Sequence, residues 1–196
     1  KPEESHLRPW DLQFCALAGS SGAASPTDLQ AAVAAQRRLA ARVGWTRPVA
    51  ELLLALGKLA RDRNIPTIDS FFNAASAAIA KRDHGPPKVV TAANVFAHIH
   101  GIHDIVRQIV DLVGDDGVFI SESHYLRDLV ETLQYDTIYH EHLRYYSVTS
   151  LSYLLKMHGL EVFHVKRIPT HGGSIRVYAS RSKRFAKQPS VAAILA

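Results

Sequence analysis

The chain has 196 residues, of which 47% are hydrophobic, and a formal net charge of +5 at pH 7. That length can bury the core of one ordinary globular domain and leaves little for a second. No apolar run approaches the ~20 residues that cross a bilayer, and the single cysteine, Cys15, excludes an intrachain disulfide and a CxxC type of zinc site built from this chain alone.

The first residues and the charge pattern bear on location and partners. Residues 1–6 contain acidic side chains and no apolar stretch, which predicts that they are not a secretory signal, and we expect a soluble cytoplasmic protein. Nucleic-acid readers usually cluster lysine and arginine with aromatic residues on one face, and no such cluster is present. The sequence therefore predicts neither a nucleic-acid nor a membrane partner, and its basic balance suits a phosphorylated small molecule.

Residues 1–57 form an atypical segment that is rich in alanine and arginine. Residues 16–56 contain no β-branched strand run, so they predict helix and loop. Thr27 and Asp28 are candidates to cap a helix that continues to Val43, and residues 50–63 predict a second helix.

After Ile65 the chain alternates between apolar strand patterns and helical patterns. The pattern predicts strands at residues 65–68, 88–94 and 118–122. Between them it predicts helices at residues 71–81 and 103–112. It then predicts a helix followed by two strands that pair antiparallel at the edge of the sheet, at residues 150–158, 161–166 and 174–179. Strands separated by helices are typical of a parallel α/β sheet. The predicted fold class is therefore α/β, with helices on both faces of the sheet and an N-terminal helical segment.

Polar clusters follow two of the predicted strands. One cluster runs from Asn94 to His98 and the other from Glu122 to Tyr125. Because ligands bind beyond the carboxyl ends of parallel strands, we expect both clusters to face one crevice. The segment Tyr139-His-Glu-His142, which is dense in proton-handling groups, is expected to face the same crevice.

Each motif also has a simpler interpretation. Residues 139–142 could form a solvent-exposed turn, and His171-Gly-Gly173 could be a tight turn between strands rather than a point of close backbone approach to a substrate. A metal site formed by Glu141 with His98, His100 and His103 is a further alternative, but the spacings match no familiar ligand pattern, so we predict no metal.

Five strings carry a family resemblance: NVFAHI, GVFISESHYL, QYDTIYHEHLRYYSVTSLSYLL, HGLEVF and HGGSIRVYASR. In this order and spacing they resemble the S-adenosylmethionine-dependent sugar C-methyltransferases that act on nucleotide-linked deoxysugars. The resemblance covers residues 58–181 and implies part of a Rossmann-like class I methyltransferase sheet there. Residues 182–196 would be a tail or the start of a truncated C-terminal segment.

The resemblance implies methyl transfer from S-adenosylmethionine to carbon 3 of a dTDP-4-keto-6-deoxyhexose. Such a reaction needs a base for the proton next to the ketone and donors for the enolate oxygen. By resemblance His142 is the base, and Glu141 orients it or shares the proton transfer. Tyr139 and His98 would donate hydrogen bonds to the keto oxygen or to sugar hydroxyls.

The resemblance also implies binding residues. Those assigned to the substrate are His140, His171, Gly172, Gly173, Arg176 and Tyr125. Those assigned to the cofactor are Asn94, Phe96 and Glu122.

The chain departs from the family pattern in several places. The cysteine-rich zinc segment, the loop of form E-I-G-x-N-D-G and the acidic residue after it are not matched, and His124 stands where the family has proline. We therefore expect a truncated or impaired methyltransferase. The alternatives are a non-catalytic remnant that binds a sugar nucleotide and a histidine-rich metal enzyme. Unless other residues cover the strand edge left by a missing first β-α unit, we also expect self-association.

Overall fold

The computed structural model of the protein describes residues 15–16, 57–68, 70–181 and 183–195. They belong to two compact units, Lys1–Gly85 and Pro86–Ala196. This division falls after Gly85, while the domain bounds at residues 57 and 181 stay predictions. No helix in the described ranges is long and apolar enough to cross a membrane.

Among its described residues, the first unit contains a short strand pair and two helical segments. Strand β1 (Cys15–Ala16) pairs antiparallel with β2 (Thr67–Ile68), which confirms the short strand predicted near residues 65–68. The strand at Ala16 corrects the prediction of helix or loop there, because backbone pairing does not require a β-branched side chain. Residues 57–62 are helical, in agreement with the predicted helix at 50–63. The rest of that helix, and the one predicted to follow Thr27, lie outside the described residues.

Helix α1 (Ala74–His84) begins three residues later than predicted because of a reciprocal cap. The side chain of Asn73 accepts hydrogen bonds from the backbone N–H groups of Ala75 and Ser76, at 2.9 and 3.0 Å. The Ser76 hydroxyl accepts one from the Asn73 N–H at 2.9 Å. This capping box satisfies donors that the first helical turn leaves unpaired. Gly85, with φ of 75°, ends the helix.

The second unit is built on a four-stranded mixed sheet. Its strands are β3 (Val89–Ala93), β4 (Val118–His124), β5 (Leu160–Ile168) and β6 (Ser174–Arg181). They lie in the order β3-β4-β6-β5, with β3 and β4 parallel and β6 antiparallel to both of its neighbours. The predicted α/β class and the predicted antiparallel pair at the sheet edge are both confirmed.

Helix α2 (Ile102–Val113) connects β3 to β4, as a parallel pair requires. Its predicted apolar stripe is largely buried, since Val106, Ile109, Val110 and Val113 all lie in the core. Helix α3 (Leu126–Glu131) follows β4 and was not predicted; it is short, and an unbroken apolar stripe does not mark it. Helix α4 (Val148–Met157) confirms the helix predicted at 150–158 and starts two residues earlier, at a capping box of Ser147 and Ser150.

The last helix, α5 (Pro189–Leu195), lies in the segment that was predicted as a tail or as the start of a truncated segment. The side chain of Val191 is buried, and the N–H of Gln188 donates to the carbonyl of Phe163 in β5 at 2.8 Å. This segment therefore includes a helix that packs on the edge strand of the sheet.

The sheet positions the polar residues that follow its strands. Along β4, burial alternates, so Ser121 and Ser123 lie on the buried face with Phe119, while Glu122 points to the opposite face. The N–H of Asn94 donates to the carbonyl of Glu122 at 2.8 Å, which carries the β3–β4 pairing one residue beyond β3. The carboxyl ends of both parallel strands therefore lie side by side, as the sequence predicted.

Candidate active site

A cavity of about 250 Å³ opens where β3 and β4 end. It lies within the second unit. Its walls come from the ends of β3 and β4, the segment that runs from Tyr139 to Tyr146, and the turn at His171. The lining residues are Asn94, Ala97, His98, Ser123, His124, Tyr139, His142, Arg144, Tyr145, Tyr146 and His171.

The wall segment, residues 139–146, is held by hydrogen bonds to backbone groups of the neighbouring segments. The N–H of Leu143 donates to the carbonyl of Ala97 at 2.8 Å. The guanidinium of Arg144 donates to the carbonyls of Ile99 and His100, the latter at 2.9 Å. At its end, the carbonyl of Tyr146 accepts the N–H of Leu126 at 2.9 Å. Residues 143–146 are therefore held against both flanking segments. Residues 139–142 agree in part with the simpler interpretation of a solvent-exposed turn, since Tyr139 and His140 are exposed there, whereas His142 is half-buried.

The hydrogen bonds of His142 define which of its ring nitrogens carries the proton. Its Nδ1 lies 2.9 Å from the carbonyl oxygen of Thr137. Because a carbonyl oxygen only accepts, Nδ1 must donate, and in the neutral ring Nε2 then holds the lone pair. That Nε2 lies 3.2 Å from the hydroxyl of Tyr139, which can donate to it. His142 is thus half-buried in the cavity wall with a basic nitrogen available.

His98 is held in the same tautomer by a different carbonyl. Its Nδ1 lies 3.0 Å from the backbone oxygen of Glu141, so Nδ1 donates and Nε2 is the basic nitrogen of the neutral ring. The resemblance implied that Glu141 orients His142 or shares its proton transfer. In the structure the carbonyl of Thr137 contacts His142, whereas Glu141 contacts His98 through its backbone.

Four imidazoles lie along the cavity in close succession. The ring centroids of His98 and His142 are 4.9 Å apart, those of His142 and His124 5.4 Å, and those of His124 and His171 5.5 Å. Burial lowers the pKa of His124 below its usual 6.5, and the neighbouring His142, His171 and His98 lower it further. A proton is therefore disfavoured at the centre of the cluster.

This shift predicts a pH-dependent stability. Because the pKa of His124 is lower in the folded than in the unfolded chain, its contribution is fully present above pH 6.5 and is lost as the pH falls towards the folded pKa. His124→Gln should flatten the decline in the free energy of unfolding as the pH falls below about 6.5, measured by urea denaturation. His100 is exposed and lies outside the cavity lining, so His100→Gln should keep the wild-type dependence of the unfolding free energy on pH. Equal slopes in the wild type and His124→Gln would rule out this contribution.

Tyr139 is 42% exposed and faces His142 across the cavity mouth. Burial of its hydroxyl raises its pKa above 10.0, and the Glu141 carboxylate and the Tyr145 hydroxyl raise it further. Tyr139 therefore remains a phenol near neutral pH and acts as a hydrogen-bond donor. The Tyr145 hydroxyl is engaged separately, since it donates to the carbonyl of Thr137 at 3.1 Å.

Two cavity residues have a left-handed backbone. Asn94 has φ of 55° and His171 has φ of 52°. Asparagine adopts this region readily, but histidine does so less often, and such residues cluster at functional sites. Both side chains line the cavity, so the turns that follow β3 and precede β6 are shaped at the positions where the sequence predicted binding residues.

Several sequence-predicted site residues are not brought to the cavity. Phe96 is 1% exposed and packs in the core, with its ring centroid 5.5 Å from that of Phe119. Glu122 and Arg176 form an ion pair at 2.7 Å on the other face of β4 and β6. Tyr125 is buried beneath the guanidinium of Arg167, and His140 is exposed outside the cavity lining.

The two glycines of the His171-Gly-Gly turn make room for side chains of this chain. The Gln134 amide donates to the carbonyl of Gly172 at 2.7 Å. A Cβ on Gly173 would come within 2.3 Å of an oxygen of the buried Asp128 carboxylate. Both glycines also have positive φ. These contacts favour the interpretation of a tight turn over that of close approach to a substrate.

Six lining residues were not among the individually predicted site residues: Ala97, Ser123, His124, Arg144, Tyr145 and Tyr146. Ala97, Ser123 and His124 belong to the two polar clusters that were predicted to face the crevice. A signal was present for most of them. Strand alternation places Ser123 on the same face as buried residues of β4. Tyr145 and Tyr146 lie within four residues of the histidine-rich motif. His124 was predicted as part of the cluster 122–125 and was also noted as a departure from the family pattern.

The alternative metal site is not assembled in the described residues. No group of three or more histidine, cysteine or carboxylate side chains is placed there to hold an ion. His98 lines the cavity, whereas His103 pairs with His158, with 2.9 Å between their ring nitrogens.

Comparison with known proteins places these features in context. A family model described as a methyltransferase domain matches residues 32–165. The C-methyltransferase NovU of Streptomyces niveus is 38% identical over 142 residues, which are 72% of this chain and 34% of NovU. The chain thus spans about a third of the length of this curated relative.

Two solved structures also resemble the chain over 48% of its length. The mitomycin 7-O-methyltransferase MmcR is 19% identical, with a TM-score of 0.42 over 30% of that protein. The magnesium protoporphyrin IX methyltransferase ChlM of Synechocystis PCC 6803, solved with bound SAH, is 14% identical, with a TM-score of 0.39 over 45% of that protein.

Proposed function

Because this chain belongs to the methyltransferase domain family, we propose that it transfers a methyl group from S-adenosylmethionine to carbon 3 of a nucleotide-linked 4-keto-deoxysugar. One observation carries the proposal. The imidazole of His142 is held by the Thr137 carbonyl with its basic Nε2 in the cavity wall, beside the phenol of Tyr139. The sequence motifs and the 38% identity to a C-methyltransferase support the choice of carbon as the methyl acceptor.

Methylation at carbon makes two demands on the protein. A proton next to a ketone must be removed by a base with a pKa near the working pH, and the oxygen that gains charge must meet hydrogen-bond donors. Imidazole is a base suited to this task, and His142 supplies one whose Nε2 carries the lone pair in the neutral ring. Tyr139 lies beside that nitrogen as a donor, since its raised pKa keeps it protonated.

Removal of the C3 proton by His142 would convert the ketone into an enolate. Nε2 of His142 takes the proton on carbon 3, and the electron pair of that C–H bond forms a double bond to carbon 4. The pair of the C=O bond moves onto oxygen, and the Thr137 carbonyl stabilises the imidazolium through Nδ1–H. Bound S-adenosylmethionine would supply an electrophilic methyl group, which carbon 3 receives as the ketone re-forms.

The described residues offer a partial fit to the cofactor. Asn94 lines the cavity and presents its amide at the end of β3. Phe96 and Glu122, which the resemblance also assigned to the cofactor, are engaged in the core and in an ion pair. This placement favours a second candidate function, binding of a sugar nucleotide without methyl transfer.

Calorimetric titration and a product assay separate the two functions. If the chain is a methyltransferase, it should bind S-adenosylmethionine with a micromolar Kd, and mass spectrometry should show dTDP-4-keto-6-deoxyhexose gaining one CH₂ unit. If a folded sample binds the sugar nucleotide but neither binds S-adenosylmethionine nor forms product, the second function holds. If the folded sample binds neither compound, both functions are excluded.

A further inference from the structure

Two buried hydroxyl groups in the cavity wall have no hydrogen-bond partner within the described part of the chain. They are Oγ of Ser123 and the phenol oxygen of Tyr146. Their residues are 3% and 5% exposed, and both line the cavity. Buried polar groups are normally hydrogen-bonded, and an exception beside a cavity indicates a ligand or a water.

Tyr146 differs from the neighbouring tyrosines in the hydrogen bonding of its hydroxyl. The hydroxyl of Tyr139 has His142 within reach, and that of Tyr145 donates to the Thr137 carbonyl. Of the three tyrosines that line the cavity, Tyr146 is thus the one whose hydroxyl has no partner among the residues that the structure describes.

Both hydroxyls are carried by well-fixed backbone. Ser123 lies inside β4, opposite Ile175 of β6, on the buried face. Tyr146 forms a parallel bridge with Tyr125, and its ring centroid lies 6.3 Å from that of Phe96. Donors held in this way need little reorganisation when charge develops on a neighbouring oxygen.

We propose that the hydroxyls of Ser123 and Tyr146 form an oxygen-binding subsite that donates hydrogen bonds to the keto oxygen of the substrate as it becomes an enolate. This inference rests on the proposed function and deepens it, since it assigns the donors that stabilise the oxygen on which the displaced electron pair comes to lie. In the proton transfer to His142, the negative charge that develops on the oxygen at carbon 4 would be shared by these two donors.

The chemistry of the pair suits a carbonyl oxygen better than a phosphate. Both donors are uncharged, and the guanidinium of Arg144, the cavity's arginine, is occupied by the carbonyls of Ile99 and His100. Burial raises the pKa of Tyr146 to about 12, so its hydroxyl keeps its proton and serves as a donor rather than a base.

Removal of each hydroxyl with little change of shape tests the subsite. The variants are Tyr146→Phe and Ser123→Ala, which remove groups that have no partner in the described chain and should therefore fold normally. The matched controls are Ser121→Ala and Tyr153→Phe. Ser121 has a buried hydroxyl, likewise without a partner in the described residues, on the same face of β4 but outside the cavity lining, and Tyr153 is exposed on α4.

Two readouts are compared on all five proteins: the Kd of dTDP-4-keto-6-deoxyhexose by calorimetry, and the rate at which its C3 proton exchanges into deuterated water. We expect each hydroxyl deletion to lower the exchange rate by about 10²-fold, as for loss of one oxyanion donor, and to weaken binding of the ground-state ketone only a few-fold. The controls should match the wild type in both.

The outcomes separate this inference from the proposed function. If Tyr146→Phe and Ser123→Ala exchange the C3 proton at the same rate as the wild type, the subsite is overturned and the proposed function is unaffected. Absence of exchange in every protein, with a Kd that rises in these two variants alone, would overturn the function and the enolate role of the subsite, and would leave the two hydroxyls as donors to the bound sugar nucleotide. If the folded wild type does not bind the sugar nucleotide, both the subsite and the function are overturned. The same holds if no protein exchanges the C3 proton and the Kd is the same in all five proteins.

Discussion

Replacement of His142 by asparagine is expected to lower the rate of C3 proton exchange in dTDP-4-keto-6-deoxyhexose by about 10²–10⁴-fold. Asparagine can still donate to the carbonyl of Thr137, as Nδ1 of His142 does at 2.9 Å, so the wall of the cavity should keep its shape. What it lacks is the basic nitrogen that faces Tyr139 at 3.2 Å. Proton NMR in deuterated water measures the loss directly, without S-adenosylmethionine.

The matched control for this prediction is His100→Asn. His100 is exposed, and its backbone carbonyl, not its ring, contacts Arg144. Exchange in this variant should equal that of the wild type. If His142→Asn exchanges as fast as the wild type, another group removes the proton, and the basic Nε2 of His98 would be the next candidate in the cavity.

Replacement of Phe96 by alanine is expected to lower the free energy of unfolding by about 3–5 kcal/mol, the usual cost of removing a buried phenylalanine. Phe96 is 1% exposed, and its ring packs against Phe119 at 5.5 Å and Tyr146 at 6.3 Å. The loss follows from the buried apolar surface and from the void left between β4 and the cavity wall. Urea denaturation followed by circular dichroism gives the measurement.

Two further variants serve as controls for the loss of stability in Phe96→Ala. Phe96→Leu keeps most of the volume and should cost much less, while Phe185→Ala removes a ring that is already 41% exposed and should cost little. The resemblance assigned Phe96 to the cofactor instead. Unchanged stability in Phe96→Ala, together with weaker binding of S-adenosylmethionine, would contradict the core placement and restore that assignment.

The elements were predictable wherever burial follows a simple period. The stripe that includes Val106 and Ile109 marks α2, because it presents a continuous buried surface. The apolar run at residues 88–94 marks β3 through its strand-forming residue types, although Val90 is the one residue of β3 that is buried. Ends were less predictable, since they depend on caps such as Ser147 with Ser150, whose hydrogen bonds carry no hydrophobic signal. Helix α5 was missed because Val191 is its one buried residue, and the hydrogen bonds that Ser190 forms with His164 and Val165 of β5 carry no hydrophobic signal.

The candidate site could be predicted in outline but not in detail. Sheet topology sufficed to bring Asn94, His98 and the histidine-rich motif to one crevice. The sequence could not show that backbone carbonyls of Thr137 and Glu141 orient the two histidines, since any residue offers a carbonyl. Nor could residue type show that Phe96 turns into the core, because an aromatic ring suits either a core or a cofactor pocket.

According to the proposed function, the cavity activates the carbon next to a ketone. The most direct measurement mixes the wild-type chain with dTDP-4-keto-6-deoxyhexose in deuterated water, without S-adenosylmethionine, and follows the C3 proton by NMR. We predict that its signal disappears faster than in buffer alone. Exchange at the buffer rate, in a folded sample shown by calorimetry to bind the sugar nucleotide, would contradict the assignment of His142 as a base.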